Sequence, residues 1–312
     1  MAKDIDMQNS THLLMIQPVN FGFNTQTAVN NTFQKELDGN LQQKALHEFH
    51  NFVAVLRKNK IDVTVVEDSP DPATPDSIFP NNWISFHADG RIFLYPMFAV
   101  NRRMERKAAV LEAVKNKFAV TETVDLTKAE TTNKFLEGTG SIVLDREYKI
   151  AYACLSPRTD EQLLTDFCKR TGYSPVTFSS KDNTGVDIYH TNVMMCVAKT
   201  FVVVCLESIA DNEERKKLTD SIAKTNKAVI DISLQQLNSF AGNMLQVLNT
   251  DGELLLIMST QAFTSLNPSQ INLLEQHNRI IHASLNTIET VGGGSARCMM
   301  AEVFLPVKYL SL

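Results

Sequence analysis

Residues 190–232, HTNVMMCVAKTFVVVCLESIADNEERKKLTDSIAKTNKAVIDI, contain two short apolar runs, a charged segment and a third apolar run. Residues 192–197 and 201–206 have the length and composition of strands. Residues 211–225 read as a charged helix, and 228–232 return as a strand. The order strand, strand, helix, strand recurs on both sides of this stretch. Upstream, strands at 141–144 and 149–155 precede a helix at 158–170 and a strand at 175–178. Earlier still, strands at 83–87 and 92–96 precede a helix at 101–117 and a strand from 119. Downstream, strands at 244–248 and 254–258 precede a helix at 268–277 and a strand at 280–282. That helix opens with Asn267 as cap, Pro268 in the first turn and Gln270 completing a capping box.

A fifth copy is divided between the two ends of the chain. Residues 301–305 supply one strand, while 12–16, an amphipathic helix around 41–56 and a strand at 62–66 supply the rest. Units of this size closed from N- to C-terminus suggest a ring of modules about one axis. No Pro- or Ser-rich linker interrupts the chain, so one closed domain over residues 1–312 is expected. The predicted fold class is α/β, a pseudo-symmetric propeller of five ββαβ modules.

With 44% hydrophobic and 21% charged residues, the 312-residue chain has the composition of a globular enzyme rather than a disordered or membrane protein. A formal charge of -5 without a basic stripe argues against nucleic acid as a partner. The opening residues lack an apolar core of the secretory type, and no run is long enough to span a membrane. A cytoplasmic protein is expected. The five cysteines form no Cys-x-x-Cys pair; Cys154, Cys168, Cys196 and Cys205 lie inside apolar or helical runs and read as buried structural thiols. Cys298 differs, because it follows the flexible stretch Gly292-Gly293-Gly294-Ser295-Ala296 and stands beside Arg297.

The start of each module's first strand carries one polar residue in an apolar setting. These are Asn82, Glu137, His190, Asn243 and Cys298, separated by 55, 53, 53 and 55 residues. In a ring with that period, equivalent positions face one central point. Polar residues at strand starts are often turn formers only. This set, however, contains the cysteine and histidine that make and use a thiolate, and a carboxylate to orient the imidazole or hold a cationic substrate.

Three motifs extend the reading: Phe-Leu-Glu-Gly-Thr-Gly (135–140), Tyr-His-Thr-Asn (189–192) and Gly-Gly-Gly-Ser-Ala-Arg-Cys-Met (292–299). They resemble the motifs of the guanidino-group-modifying superfamily, which includes arginine deiminases, dimethylarginine dimethylaminohydrolases, amidinotransferases and succinylarginine dihydrolases. Phe-Pro-Asn-Asn-Trp (79–83) and Ser-Phe-Ala-Gly-Asn-Met (239–244) are similar to the amidinotransferase-like branch with citrulline-utilising hydrolases. The resemblance implies the five-bladed α/β propeller called a pentein. It also implies Cys298 as nucleophile, His190 as general acid/base and Glu137 as the carboxylate beside the substrate nitrogens or the imidazole.

By the same resemblance, Asp76 of Asp-Ser-Ile-Phe helps hold the amino acid's backbone end, Phe79 is a further substrate-binding residue, and Arg158 and Arg102 receive the α-carboxylate. Two positions depart from arginine deiminases, which carry aspartates where this chain has Asn82 and Asn192. Losing two negative charges disfavours a buried guanidinium, whereas an amide can serve a neutral ureido group, with Asn243 as a further amide at the site. The expected reaction is thiolate attack on the ureido or guanidino carbon, promoted by His190 as imidazolium and by Arg297. Citrulline would give ornithine, ammonia and CO2.

Amidino transfer and arginine deimination or dihydrolysis are the alternatives within this chemistry. A non-catalytic pentein that only binds is an alternative of another class. A papain-like hydrolase fits less well, since there the cysteine precedes the histidine. His47 and His50 have helical metal-ligand spacing but no third ligand nearby, and neither Gly138-x-Gly140 nor Gly292–Gly294 forms a nucleotide fingerprint. No metal and no cofactor are expected; the partner is a guanidino or ureido amino acid, and a homo-oligomer stays open.

Overall fold

The computed structural model describes residues 7–308. The first six residues, part of the opening segment discussed above, lie outside the described residues. The chain runs β1 (His12–Gln17), α1 (Leu41–Lys58), β2 (Asp62–Glu67), β3 (Ile84–Phe86), β4 (Arg91–Leu94), α2 (Ala108–Lys117) and β5 (Glu122–Asp125). It continues with β6 (Val143–Asp145), β7 (Ile150–Cys154), α3 (Glu161–Thr171), β8 (Ser174–Phe178), β9 (Met195–Val197), β10 (Phe201–Val204), α4 (Asn212–Ala223) and β11 (Ala228–Asp231). The last elements are β12 (Leu245–Leu248), β13 (Leu254–Ser259), α5 (Pro268–Glu275), β14 (Arg279–Ala283) and β15 (Ala301–Val303).

The strands form five three-stranded sheets: β3-β4-β5, β6-β7-β8, β9-β10-β11, β12-β13-β14 and β15-β1-β2. In each, the first strand pairs antiparallel with the second, and the second pairs parallel with the third. A parallel neighbour requires a crossover, and one long helix supplies it in every module. The fifth sheet joins the chain ends: His12 pairs with Val303 on one side and with Asp62 on the other. The five-module α/β propeller is therefore the fold.

Burial shows which way each sheet faces. β3 and β9 are buried throughout, whereas β5 and β11 expose all but one residue. First strands line the axis and third strands face out. Core side chains fill the spaces between sheets and helices, with Trp83, Phe86 and Phe118 in one cluster and Phe49, Phe52 and Leu56 of α1 in another. Helix ends follow local chemistry. Asp160 and Asp211 cap α3 and α4, the Asn267–Gln270 box opens α5, and Gly172 closes α3 in the left-handed region.

Two expectations need correction. The helix expected over 101–117 is broken: Asn101–Glu105 is a 3-10 turn, and α2 starts at Ala108. The tighter turn directs both Arg102 and Glu105 inward, and Arg106 leaves helical geometry to bond the Tyr95 carbonyl and Glu130. The five periodic polar residues also do not start strands. Each lies in a tight turn leading into a first strand: Asn82 ends Pro80–Asn82, Glu137 caps Gly138–Ser141, and His190 caps Thr191–Met194. Asn243 closes a turn onto Phe240, and Cys298 lies within Ala296–Met299.

At the opposite end of the axis, Gln8, Asn9 and Ser10 bond four different modules. Gln8 Nε2 donates to the Leu144 and Val197 carbonyls, Asn9 to Gln246, and Ser10 to Val303.

Candidate active site

The turns at one end of the first strands surround a small, largely enclosed pocket. Its wall includes Cys298, His190, Asn82, Asp76, Phe79, Arg102 and Arg158. Glu137 lies behind His190. Asn192 and Asn243 stand at the Cys298 sulfur, outside the pocket wall.

Three glycines make the close approaches possible. A Cβ on Gly138 would fall 2.3 Å from the Asn81 carbonyl oxygen, and the residue has φ +49°. A Cβ on Gly140 would meet both Asn82 and His190, and one on Gly292 would meet the Phe79 ring. The Gly-x-Gly pair therefore packs two neighbouring modules together.

His190 Nε2 lies 2.8 Å from Glu137 Oε2, and both side chains are buried. Burial pushes the Glu137 carboxyl up, but Arg158, the His190 hydrogen bond and Arg102 outweigh it and hold the group at about 2. Burial pulls the His190 imidazole from 6.5 down to about 4 against the pull of Glu137. The balance favours a carboxylate facing a neutral ring. Glu137 can only accept, so Nε2 carries the proton and Nδ1 carries the lone pair. Burial thus works against the expected resting imidazolium.

The arginines differ from expectation as well. Arg102 already holds a carboxylate: Nε and Nη2 donate to Glu105 at 2.8 and 2.9 Å, and Nη1 donates to Asn82 Oδ1 at 2.8 Å. Its bidentate fork is filled, so in this structure Arg102 orients Asn82 rather than presenting itself to an incoming acid. Arg158 donates through Nε and Nη2 to Asn30 Oδ1 and through Nη2 to the Thr27 carbonyl, while Nη1 lies 3.6 Å from Glu137. Arg297 is turned to the Met300 carbonyl and Glu302. The expected cation beside the sulfur is therefore already neutralised.

Asp76 accepts from Asn24 and Thr27 through Oδ2, while its buried Oδ1 has no hydrogen-bond partner. Burial raises its carboxyl above the usual range, against Arg102 and these donors. Tyr189 donates to the Gly293 carbonyl at 2.5 Å, and its ring lies beneath the Arg158 guanidinium.

Sequence reasoning missed Asn24, Thr27, Asn30 and Asn31, which bring the segment between β1 and α1 over the pocket. A long stretch with little regular structure, rich in Asn and Thr, was the available signal. It also missed Glu105 and Tyr189. His47 and His50 bond Asn51 and Gln17 on the exposed face of α1. Among the described residues, no group of three His, Cys, Asp or Glu could hold a metal, and no helix is long and apolar enough to cross a membrane.

The profile of the family described as N,N dimethylarginine dimethylhydrolase, eukaryotic, matches residues 17–305. No curated protein sequence matches the chain. Among solved structures, the cyanobacterial arginine dihydrolase ArgZ superposes with a TM-score of 0.74 at 16% identity, covering 95% of this chain and 41% of that one. This chain therefore spans about two fifths of full-length ArgZ. The substrate-bound N-terminal domain of ArgZ gives 0.73 at 17% identity, covering 95% and 98%. A dimethylarginine dimethylaminohydrolase variant bearing an S-methyl-L-thiocitrulline adduct gives 0.65 at 13% identity, covering 94% and 99%. At such identities the likeness is one of fold, the pentein propeller.

Proposed function

This chain belongs to the eukaryotic N,N dimethylarginine dimethylhydrolase family, hydrolases of carbon–nitrogen bonds other than peptide bonds, and on that premise we propose that residues 1–312 work as one catalytic domain on the ureido or guanidino carbon of an arginine-like amino acid. Cys298 is the nucleophile, His190 the general acid/base and Glu137 the carboxylate that orients it. The observation that carries the reading is a small pocket with a thiol and a Glu137-oriented imidazole in its wall, together with a buried carboxylate oxygen left without a donor.

The substrate's α-ammonium would supply the donor missing at Asp76 Oδ1. Its α-carboxylate falls to Arg158, whose Nη1 makes no hydrogen bond among the described residues, since Arg102 is occupied by Glu105. The Cys298 sulfur adds to the planar carbon, and the proton it releases passes to His190 Nδ1. His190 then protonates the departing amine and activates water against the S-linked intermediate. Related proteins support this course: the N-terminal domain of ArgZ has been seen covalently bound to a reaction intermediate.

We assign the preference to a ureido substrate such as citrulline, with ornithine, ammonia and CO2 as products. The support is charge: Asn82 lines the pocket and Asn192 stands at the sulfur, both as neutral amides. A buried guanidinium would require a further counter-charge. The family description favours a second reading, a guanidino substrate such as arginine or its N,N-dimethyl form. The five cysteines, all free, suit a cytoplasmic setting.

The test is incubation with citrulline, arginine and N,N-dimethylarginine, followed by analysis of ammonia, dimethylamine and amino-acid products. Ammonia from arginine with none from citrulline would overturn the ureido preference. Cys298→Ser should abolish turnover without lowering the unfolding temperature; near-normal activity in that variant rules out the mechanism.

A further inference from the structure

Burial works against an imidazolium at His190, the usual partner of a thiolate. The other charged groups facing the sulfur are already committed. On the pocket side, Arg102 is tied to Glu105 and Arg158 approaches Glu137. Asp76 is an acid that disfavours a second negative charge, and Tyr189 spends its proton on the Gly293 carbonyl. On the sulfur's own turn, Arg297 is paired with Glu302, and Arg146 stands close to the same carboxylate. A charged sulfur therefore needs other donors.

Two amides are in place. Asn243 Nδ2 lies 3.3 Å from Cys298 Sγ, and Asn192 Nδ2 lies 3.5 Å from it; both residues are buried. The orientation of Asn243 is fixed by its neighbours. Its Oδ1 accepts the Arg297 backbone N–H at 3.0 Å, so the other end must be the NH2, which also donates to the Asn192 carbonyl at 2.8 Å. Were the sulfur a thiol donor, its nearest side-chain acceptors would be Asn243 Oδ1 at 3.7 Å and Asn192 Oδ1 at 3.9 Å. The shorter approaches are the ones in which the sulfur accepts.

We propose that Asn192 and Asn243 are a two-amide cradle for the ionised Cys298 sulfur, holding it from the side away from the pocket and doing the work that an imidazolium does in other thiol enzymes. The assignment rests on the reading of Cys298 as nucleophile. It also gives Asn192 and Asn243 a role different from the substrate contact expected of them: they act on the attacking atom. Two neutral donors leave the pocket's charge unchanged, so His190 stays free to begin the cycle as a base.

The test is the pH dependence of Cys298 alkylation by 2-chloroacetamidine, followed by mass spectrometry of the modified peptide. In this reaction the sulfur displaces chloride, forming C–S as C–Cl breaks, and no turnover is needed. Removing one donor in Asn243→Leu or Asn192→Leu should move the alkylation midpoint up by about one to two pH units, slowing the reaction roughly 10- to 100-fold on the acidic limb. His190→Gln should leave the midpoint where it is. Should a leucine variant fail to fold, Asn243→Asp keeps the acceptor for Arg297 N–H and places negative charge at the sulfur. It should raise the midpoint further. An unmoved midpoint in folded variants, or an equal rise in His190→Gln, overturns the cradle while leaving the hydrolase reading intact. No alkylation of Cys298 in the unaltered protein overturns both.

Discussion

Gly140→Ala should reduce turnover far more than stability. A Cβ at this position would lie 2.5 Å from Asn82 Nδ2, 2.7 Å from His190 Nδ1 and 2.9 Å from His190 Cε1. Ordinary contact is about 3.5–4.0 Å, so the two side chains must retreat by about 1 Å. His190 has little freedom to do so, being anchored to Glu137 at 2.8 Å and packed on Tyr189 with ring centroids 4.7 Å apart. A 1 Å misplacement of a reacting group costs about 100-fold in rate. The backbone raises no objection, because Gly140 lies in the Gly138–Ser141 turn and outside the positive-φ region. Alanine there gains up to about 1 kcal/mol of helical preference, which offsets part of the steric cost of about 1–3 kcal/mol. Ammonia release under saturating substrate gives kcat, and urea titration gives stability. Gly172→Ala is the matching control: it has φ +78° with nothing within 4 Å of its Cβ, so it should lose stability and keep its rate. If Gly140→Ala turns over like the unaltered protein, His190 and Asn82 do not flank the reacting carbon.

Glu289 is buried at the π-helical turn before the glycine wall; it accepts from Ser295 through Oε1, and its Oε2 has no partner. Burial raises its carboxyl from 4.5 to about 7. The folded state therefore holds a proton that the unfolded state has released, and stability falls as pH rises through that window. Glu289→Gln should remove the loss, gaining up to about 3 kcal/mol at pH 8 and little at pH 4; parallel stability–pH curves for the two proteins would refute the assignment. Gln8→Ala removes two donors to Leu144 and Val197 and the acceptor of Arg146 N–H. It should cost about 2–4 kcal/mol, read as a lower urea midpoint at constant slope, while kcat stays unchanged. An unshifted midpoint would mean that the N-terminal clasp contributes nothing.

The order of elements was legible because it is local. Apolar runs of strand length, capped helices and the terminal halves of a fifth module depend on near neighbours along the chain, and together they specify the propeller. The regular separation of Asn82, Glu137, His190, Asn243 and Cys298 likewise encodes their placement at equivalent turns, since a repeated module repeats its geometry. Tertiary structure alone decided what each group faces. Arg102 reads as a free carboxylate receptor until the 3-10 turn brings Glu105 onto its fork. His190 reads as a ready imidazolium until burial and two arginines lower its affinity for a proton. Asn243 reads as a substrate contact until Arg297 N–H fixes its amide toward sulfur. The last two rest on contacts between distant parts of the chain, Glu137 on His190 and Arg297 N–H on Asn243, 53 and 54 positions apart, and the protonation of a buried group depends on every charge and dipole packed around it.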